Sequence, residues 1–220
     1  AGLAPFMIAN ALAASLAAFV QGIEIEHIRA ALQSFKASVE QTPGRMNLFN
    51  LGHFHVLIDY AHNPAGYEAV GGFIKNWPGP AIGVVGGPGD RRDEDLIGLG
   101  QLAATFFDQI IVKEDDDRRG RPSGSAAALI VQGISQGETE ANTTVEHSVC
   151  LNETEAITGA LDHAPEKALV VIFPEHVSRT IALIESRNPI ADELEEASPS
   201  DRASNPALNP VAAGNNGSLD

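Results

Sequence analysis

The apolar positions of this chain change period several times, and each change marks an element. Residues 5–20 carry helical spacing with many alanines. After Gly22, the residues Ile25, Ile28, Ala31, Leu32 and Phe35 share one stripe of a second helix, predicted over residues 24–35. Gln41-Thr42-Pro43-Gly44 breaks that pattern and reads as a linker. Residues 46–50 and 54–59 are short β-like runs about a Leu51-Gly52 turn, a predicted hairpin. Helices over 64–77, 94–107, 122–136, 153–162 and 177–186 then alternate with strands over 81–85, 109–113, 143–149 and 168–173. Strand–helix repetition of this kind implies a mostly parallel sheet with helices on both faces. Leu169-Val170-Val171-Ile172-Phe173 is apolar throughout, as a strand buried on both sides requires. Periodicity stops near Asn188, and residues 189–220, rich in Asn, Ser, Pro, Ala and acid, read as a disordered acidic tail.

The 220 residues are enough for one ordinary domain plus extra pieces, and 44% hydrophobic with 5% aromatic content favours α/β packing of small residues. A formal net charge of -15 repels nucleic acid and anionic membranes and suits a cationic ligand. Cys150 is the only cysteine, which excludes a disulfide within the chain and a cysteine zinc site. It follows a strand-like run and is expected to be a buried structural thiol in a reducing, cytoplasmic setting. No apolar run approaches the roughly 18 residues of a membrane span. The opening stretch lacks a basic flank and is interrupted by Asn10, Ser15 and Gln21, so it reads as a buried helix rather than a signal peptide. The chain starts without Met, as if cut from something longer.

In an open α/β sheet, ligands bind beyond the carboxyl ends of the strands, and four polar clusters fall there. Asp59-Tyr60-Ala61-His62-Asn63-Pro64 ends one strand and opens a helix. An Asp there can accept from a ribose diol, and His62 or Asn63 can cap the helix or reach a ligand; a satisfied polar turn explains them equally well. Gly86-Gly87-Pro88-Gly89-Asp90-Arg91-Arg92-Asp93 reads as a tight strand-to-helix turn. It is not a Walker A loop, since no Lys follows a Gly anywhere in the chain. Asp90, Arg91 and Arg92 are candidates to contact a substrate carboxylate or to pair with nearby acids. In the stretch Lys113 to Pro122, Glu114, Asp115, Asp116 and Asp117 repel one another unless a cation is near. That cation is a ligand guanidinium, a metal, or Arg118, Arg119 and Arg121 in a solvated loop. The fourth cluster is Pro174-Glu175-His176, whose lone His reads as structural. There is no nucleophile elbow, no H-E-x-x-H, and no residue is assigned as a metal ligand.

Taken together, Asn10-Ala11-Leu12-Ala13-Ala14, Gly22-Ile23, Gly44-Arg45-Met46 and Asp59 through Pro64 resemble the end of the central domain and the C-terminal domain of the Mur ligases. These are the amino-acid-adding enzymes of peptidoglycan synthesis and their relatives. The resemblance runs from about residue 1 to about 187, and Gly-Arg-Met followed by Asp-Tyr-Ala-His is its most specific part. Where a peptidoglycan ligase usually carries an Asp-Asn-Pro-Arg-like motif, this chain has Glu114-Asp115-Asp116-Asp117-Arg118. With residues 42–49, 59–67 and 86–95, that departure points to the branch of the family that attaches arginine to polyaspartate. The resemblance implies a helical end of the central domain over 1–40 and a Rossmann-like lid domain over 41–188. It implies ATP and Mg2+ as cofactors, with the ion held mostly by central-domain residues. Asn10 would contact adenine, Asp59 the ribose, and Arg45 the phosphates as the catalytic cation, with His62 and Asn63 on the same edge. Beyond what the resemblance implies, Glu114, Asp115, Asp116 and Asp117 are expected to help receive the guanidinium of the incoming arginine, with Asp90 and Arg91 as further substrate contacts. The partners implied are arginine, a polyaspartate chain, the rest of the same polypeptide and further copies of the whole enzyme in a homo-oligomer. Neither nucleic acid nor membrane is among them. Without a P-loop lysine the chain alone is expected to be inactive. A peptidoglycan or folate polyglutamate ligase, or a non-catalytic α/β binding module, are the alternative readings.

Overall fold

The computed structural model describes residues 5–187, 189 and 190. Along the chain it forms α1 (Pro5–Val20), α2 (Ile25–Ser34), β1 (Asn47–Asn50), β2 (His55–Ile58), α3 (Pro64–Ile74), β3 (Ala81–Val85) and α4 (Asp93–Phe106). There follow β4 (Gln109–Val112), α5 (Ser125–Ala141), β5 (Glu146–Val149), α6 (Glu153–Asp162), β6 (Leu169–Ile172) and α7 (Val177–Glu185). Residues up to Pro189 form one compact unit. The predicted tail lies outside the described residues apart from Pro189 and Ile190.

The strands make one sheet in the order β1-β2-β6-β3-β4-β5. β1 and β2 pair antiparallel through the predicted hairpin, and every other pairing is parallel. Strand alternation divides the apolar side chains between two cores. Leu57, Ala81, Val85, Ile110, Val112, Leu169, Val171 and Phe173 meet Tyr67, Val70, Leu96, Leu99, Ile130 and Ile134 of α3, α4 and α5. Val56, Ile58, Ile82, Val84, Val170 and Ile172 meet Ala156, Ile157, Leu161, Ile181 and Ile184 of α6 and α7. The expected α/β sheet, mostly parallel with helices on both faces, is therefore the fold observed.

β6 is the last strand in sequence but lies between β2 and β3. The connections leaving β2 and β3 pass to α3 and α4 on one face, and the connection leaving β6 passes to α7 on the other. Such a divergence opens a crevice at the carboxyl ends of these strands, and the polar clusters sit there.

Several expectations are corrected. The helix predicted over 122–136 starts at Ser125, after Gly124 in a left-handed conformation, and runs to Ala141, where Asn142 (φ 51) caps it. Its last turns are polar and solvated, so apolar periodicity alone stops short. β5 begins only at Glu146 and is exposed along its length as an edge strand. The α1 helix is not buried: Ile8, Leu12, Leu16, Phe19 and Val20 are exposed, Leu12 at 66%, and α2 has no buried residue. Cys150 is only half-buried beside the second core, its thiol 3.7 Å from the Asn152 carbonyl oxygen. Among the described residues, no helix is long and apolar enough to cross a membrane.

α4 and α5 cross on glycines. A Cβ on Gly133 would stand 2.0 Å from the Ile97 carbonyl oxygen, and one on Gly100 2.1 Å from that of Ile130. Gly98, two residues before Gly100 on α4, faces open space. Gly133→Ala is expected to destabilise the chain by about 1–3 kcal/mol or more through overpacking. Gly98→Ala is expected to stabilise it by about 0.5–1 kcal/mol through helix propensity. Urea melts of the two variants check the pair, and midpoints moving in the same direction would refute the close crossing.

Candidate active site

The first part of the site is built on the turn after Pro43. Gly44 takes φ 73 and Met46 φ 53. A Cβ on Gly44 would in addition stand 2.8 Å from Val177 Cγ2. The Asn47 side chain closes the turn, Oδ1 accepting from Gly44 N at 2.6 Å and Nδ2 donating to Thr42 O at 3.1 Å. Asp59, 6% exposed, pins it to the end of β2: Oδ2 accepts from Met46 N at 3.1 Å and Oδ1 from Ala61 N at 2.9 Å. Burial pushes the Asp59 carboxyl above its ordinary pKa, against the pull of those two amides and of the Arg45 charge. The turn leaves Arg45 exposed, its guanidinium 5.6 Å from the centre of the Tyr60 ring. Asn63 caps α3 by accepting from Gly66 N at 2.9 Å, with Pro64 in the first turn. His62 Nδ1 lies 3.0 Å from the Tyr60 carbonyl oxygen. Asn10, on α1, faces this edge across a groove of about 720 Å³. All five residues expected on the nucleotide side, Asn10, Arg45, Asp59, His62 and Asn63, line that groove, with Ala11, Ala14, Ile28 and Leu32 as its apolar wall.

The second part is a cleft of about 60 Å³ at the carboxyl ends of β2, β3, β4 and β6. Tyr60, Ala61 and His62 belong to both cavities, so the two meet there. Glycines 86 and 87 give the cleft its floor, and Lys113, Asp115, Asp117, Arg119 and Glu175 its polar walls. Tyr67, buried and stacked on Phe173 at 4.1 Å, donates to the Gly86 carbonyl oxygen at 3.3 Å and holds that floor.

Lys113 is 1% exposed, and its ammonium sits 2.6 Å from Asp115 Oδ1 and 2.8 Å from Glu153 Oε2. Burial works against the charged lysine, but Asp115 and Glu153 outweigh it and hold its pKa above the ordinary value. Burial likewise favours a neutral Glu153, yet Lys113, the amide of Glu175 and Arg179 keep that carboxyl below its ordinary range. For Asp115 burial prevails over Lys113, with Glu175 and Glu153 adding repulsion, and its carboxyl is raised. Arg179 bridges Glu153 at 3.1 Å and Asp116 at 2.8 Å.

The acidic run is therefore divided among separate partners. Glu114 is buried and accepts from Gly124 N with both oxygens, at 3.0 and 2.9 Å. Asp115 pairs with Lys113, Asp116 with Arg179, and Asp117 with Arg119 at 2.6 Å. The solvated-loop reading needs correction: of the three arginines named for it, only Arg119 serves the run, while Arg121 turns to Asp93 and to the Gly89 and Arg91 carbonyl oxygens. Asp90 is exposed, 3.5 Å from Arg119. Asp90, Arg91, Glu114 and Asp116 line neither cavity. Asp116, Glu175 and His176 bring possible ligand atoms within 4.8 Å of one another. Arg179 and two backbone amides already engage the carboxylates among them.

Sequence reasoning assigned no site role to Lys113, Glu153, Glu175 or Arg179. Lys113 left one signal: it completes the apolar run Ile110-Ile111-Val112, and a lysine ending a buried strand must find an anion. Nothing local marks Glu153 or Arg179 as its partners.

The fold has known counterparts. Residues 44–176 match the family model of the Mur ligase glutamate ligase domain, and the chain belongs to that family. It is 64% identical over 200 residues to cyanophycin synthetase of Trichormus variabilis, an alignment covering 90% of this chain and 22% of that protein. It is 34% identical to the UDP-N-acetylmuramoyl-L-alanyl-D-glutamate–2,6-diaminopimelate ligase of Corynebacterium glutamicum, over 78% of this chain and 32% of that one. The chain thus spans about a fifth of the length of the cyanophycin synthetases it matches. Among solved structures, a murein peptide ligase from Psychrobacter arcticus superposes with a TM-score of 0.57 at 20% identity, over 83% of this chain and 37% of that one. E. coli FolC in complex with ADP gives 0.51 at 20% identity, over 73% and 38%.

Because its folded pKa is lowered, Glu153 contributes stability that is present above its ordinary value of 4.5 and lost as the pH falls through the lowered one. Glu153→Gln removes that contribution. The variant is expected to be less stable than wild type near neutrality and to lose less on acidification. Urea melts between about pH 3 and pH 7 check this, and a wild-type-minus-variant difference that stays constant would refute it.

Proposed function

We propose that this chain is the lid-side part of an ATP-dependent amino-acid ligase that joins arginine to the side-chain carboxylate of a polyaspartate backbone, as its likeness to cyanophycin synthetases suggests. The observation that carries this reading is the meeting of the two cavities at Tyr60-Ala61-His62: a groove large enough for a nucleotide adjoins a small cleft walled by carboxylates. In the reaction, the γ-phosphoryl group of ATP passes to the acceptor carboxylate. The resulting acyl phosphate is attacked by the α-amine of arginine, an amide forms and phosphate leaves.

The residues fit the nucleotide. Arg45 stands free on its turn to stabilise charge on the transferred phosphoryl group. Asn10 is assigned to the adenine, whose ring would rest on the apolar wall of α1 and α2. Each Asp59 oxygen retains a second lone pair for a ribose hydroxyl, and His62 and Asn63 line the same edge. A fold relative, E. coli FolC, was solved with ADP. The groove offers no free carboxylate pair for Mg2+, since Asp59 is held by amides, so the ion is assigned to residues of the whole protein outside this chain. For the guanidinium, Asp115 and Asp117 are the members of the acidic run that face the cleft, joined by Glu175. Glu114 and Asp116 line neither cavity and hold the loop instead, through Gly124 N and Arg179; Asp90, 3.5 Å from Arg119, and Arg91 remain assigned as further substrate contacts.

Residues 1–40 are assigned to the end of a central domain. The uncovered stripe Ile8, Leu12, Leu16 and Phe19 supports this, because such a face needs a partner. The further partners proposed are the rest of the same polypeptide and copies of the whole enzyme, in the cytoplasm.

The test is ATP-dependent amino-acid incorporation by the full-length protein, with arginine, diaminopimelate and glutamate in parallel. Arginine incorporation supports the proposal. Selective use of another amino acid makes the protein a different Mur-type ligase, and no turnover with any makes it a binding module. Arg45→Ala is expected to lower kcat by about 100-fold or more, and Asp117→Asn to raise the KM for arginine by about tenfold. The 220-residue chain alone is expected to show no turnover, since it carries no P-loop lysine.

A further inference from the structure

Lys113 ends β4 in a slot made for it. A Cβ on the neighbouring Gly86 would stand 2.7 Å from Lys113 Cε, so the glycine lets the lysine stem lie flat against the end of β3. From there the ammonium reaches Asp115 on its own loop and Glu153 at the start of α6. The Glu153 carboxylate passes the contact on, accepting from Glu175 N at 2.6 Å and His176 N at 3.5 Å in the β6–α7 loop, and from Arg179 on α7. Arg179 returns to Asp116, and the Glu175 carboxylate accepts from the amides of Asp116 and Asp117. The contacts form a closed circuit through the loops after β4, β5 and β6. Two cations, Lys113 and Arg179, pair with three carboxylates, Asp115, Asp116 and Glu153, while a fourth, Glu175, is held by backbone amides. Without the ammonium, three of these acids would repel one another across the wall of the small cleft.

We propose that Lys113 is a positioning residue: through Glu153 it locks the β4–α5 and β6–α7 loops together, so that the carboxylates facing the cleft stand where a cationic amino acid meets them. The consequence for the substrate rests on the ligase reading above; the locking of the loops does not.

The test uses the full-length protein with Lys113→Met and with the double variant Lys113→Met/Glu153→Gln, which removes the fully buried Glu153 charge together with its partner and decides the matter if the single variant does not fold. Amide hydrogen exchange, resolved by peptide, is expected to be about tenfold faster or more at residues 174–177 in the variants and unchanged in α3. The KM for arginine is expected to rise about tenfold or more, while the KM for ATP stays within about twofold. Unchanged exchange at 174–177 in the double variant overturns the proposal, and so does a rise of both KM values together. If the wild-type protein incorporates no arginine, the ligase reading fails and the exchange result alone decides the locking of the loops.

Discussion

The architecture depends on where β6 sits. Leu169 to Phe173 is the most apolar run of the fold, and burying it on both faces requires a position inside the sheet. The chain supplies that position by leaving a gap between β2 and β3, which β6 fills in parallel with both. Because α7 then leaves on the face opposite α3 and α4, the backbone parts on either side of the β6 carboxyl end. Pro174-Glu175-His176 emerges in that gap between the Asp59 to Asn63 segment and the glycine turn after β3. The small cleft is a consequence of this insertion.

Charge is handled by division. A run of four consecutive acids would oppose folding if it stayed together, and the structure sends each to a different partner: a helix amide, a buried ammonium, a guanidinium of α7 and a neighbouring arginine. Burial and pairing compete at Lys113, Asp115 and Glu153 with different outcomes. Glu153 is held ionised and Lys113 protonated because their partners are close and several, while Asp115 is raised because burial and like charges exceed what one ammonium returns. The cleft wall is thus structurally satisfied yet still rich in negative charge.

The two cavities differ in kind. The larger is apolar on the α1 and α2 side and polar along the Arg45 turn, which suits a flat ring with a charged extension. The smaller is more polar, with Lys113, Asp115, Asp117, Arg119 and Glu175 on its walls beside Phe173 and Pro174. The backbone on either side of Arg45 is fixed by the Asn47 and Asp59 bonds to Gly44 and Met46, while its exposed guanidinium rests over the Tyr60 ring at the edge of the groove.

Much of this was legible in the linear order of residues. The strand and helix alternation, the hairpin, the doubly buried last strand and the cap at Asn63 follow from local periodicity and turn chemistry, which depend on neighbours a few residues apart. The Gly-Arg-Met and Asp-Tyr-Ala-His segments marked the family for the same reason. The partition of the acidic run and the pairing of Lys113 with Glu153 were not legible, and the convergence of Asn10 with His62 on one groove followed only from the family resemblance. Those contacts join residues tens of positions apart, and which of several acids meets which cation is decided by the register and crossover of the sheet, not by any pattern along the chain. The exposure of α1 was misjudged because an apolar helix looks the same in sequence whether or not its partner is present. The sequence by itself determined the elements and their polarity; the order of strands in the sheet, through the insertion of β6, decided which charges face each other.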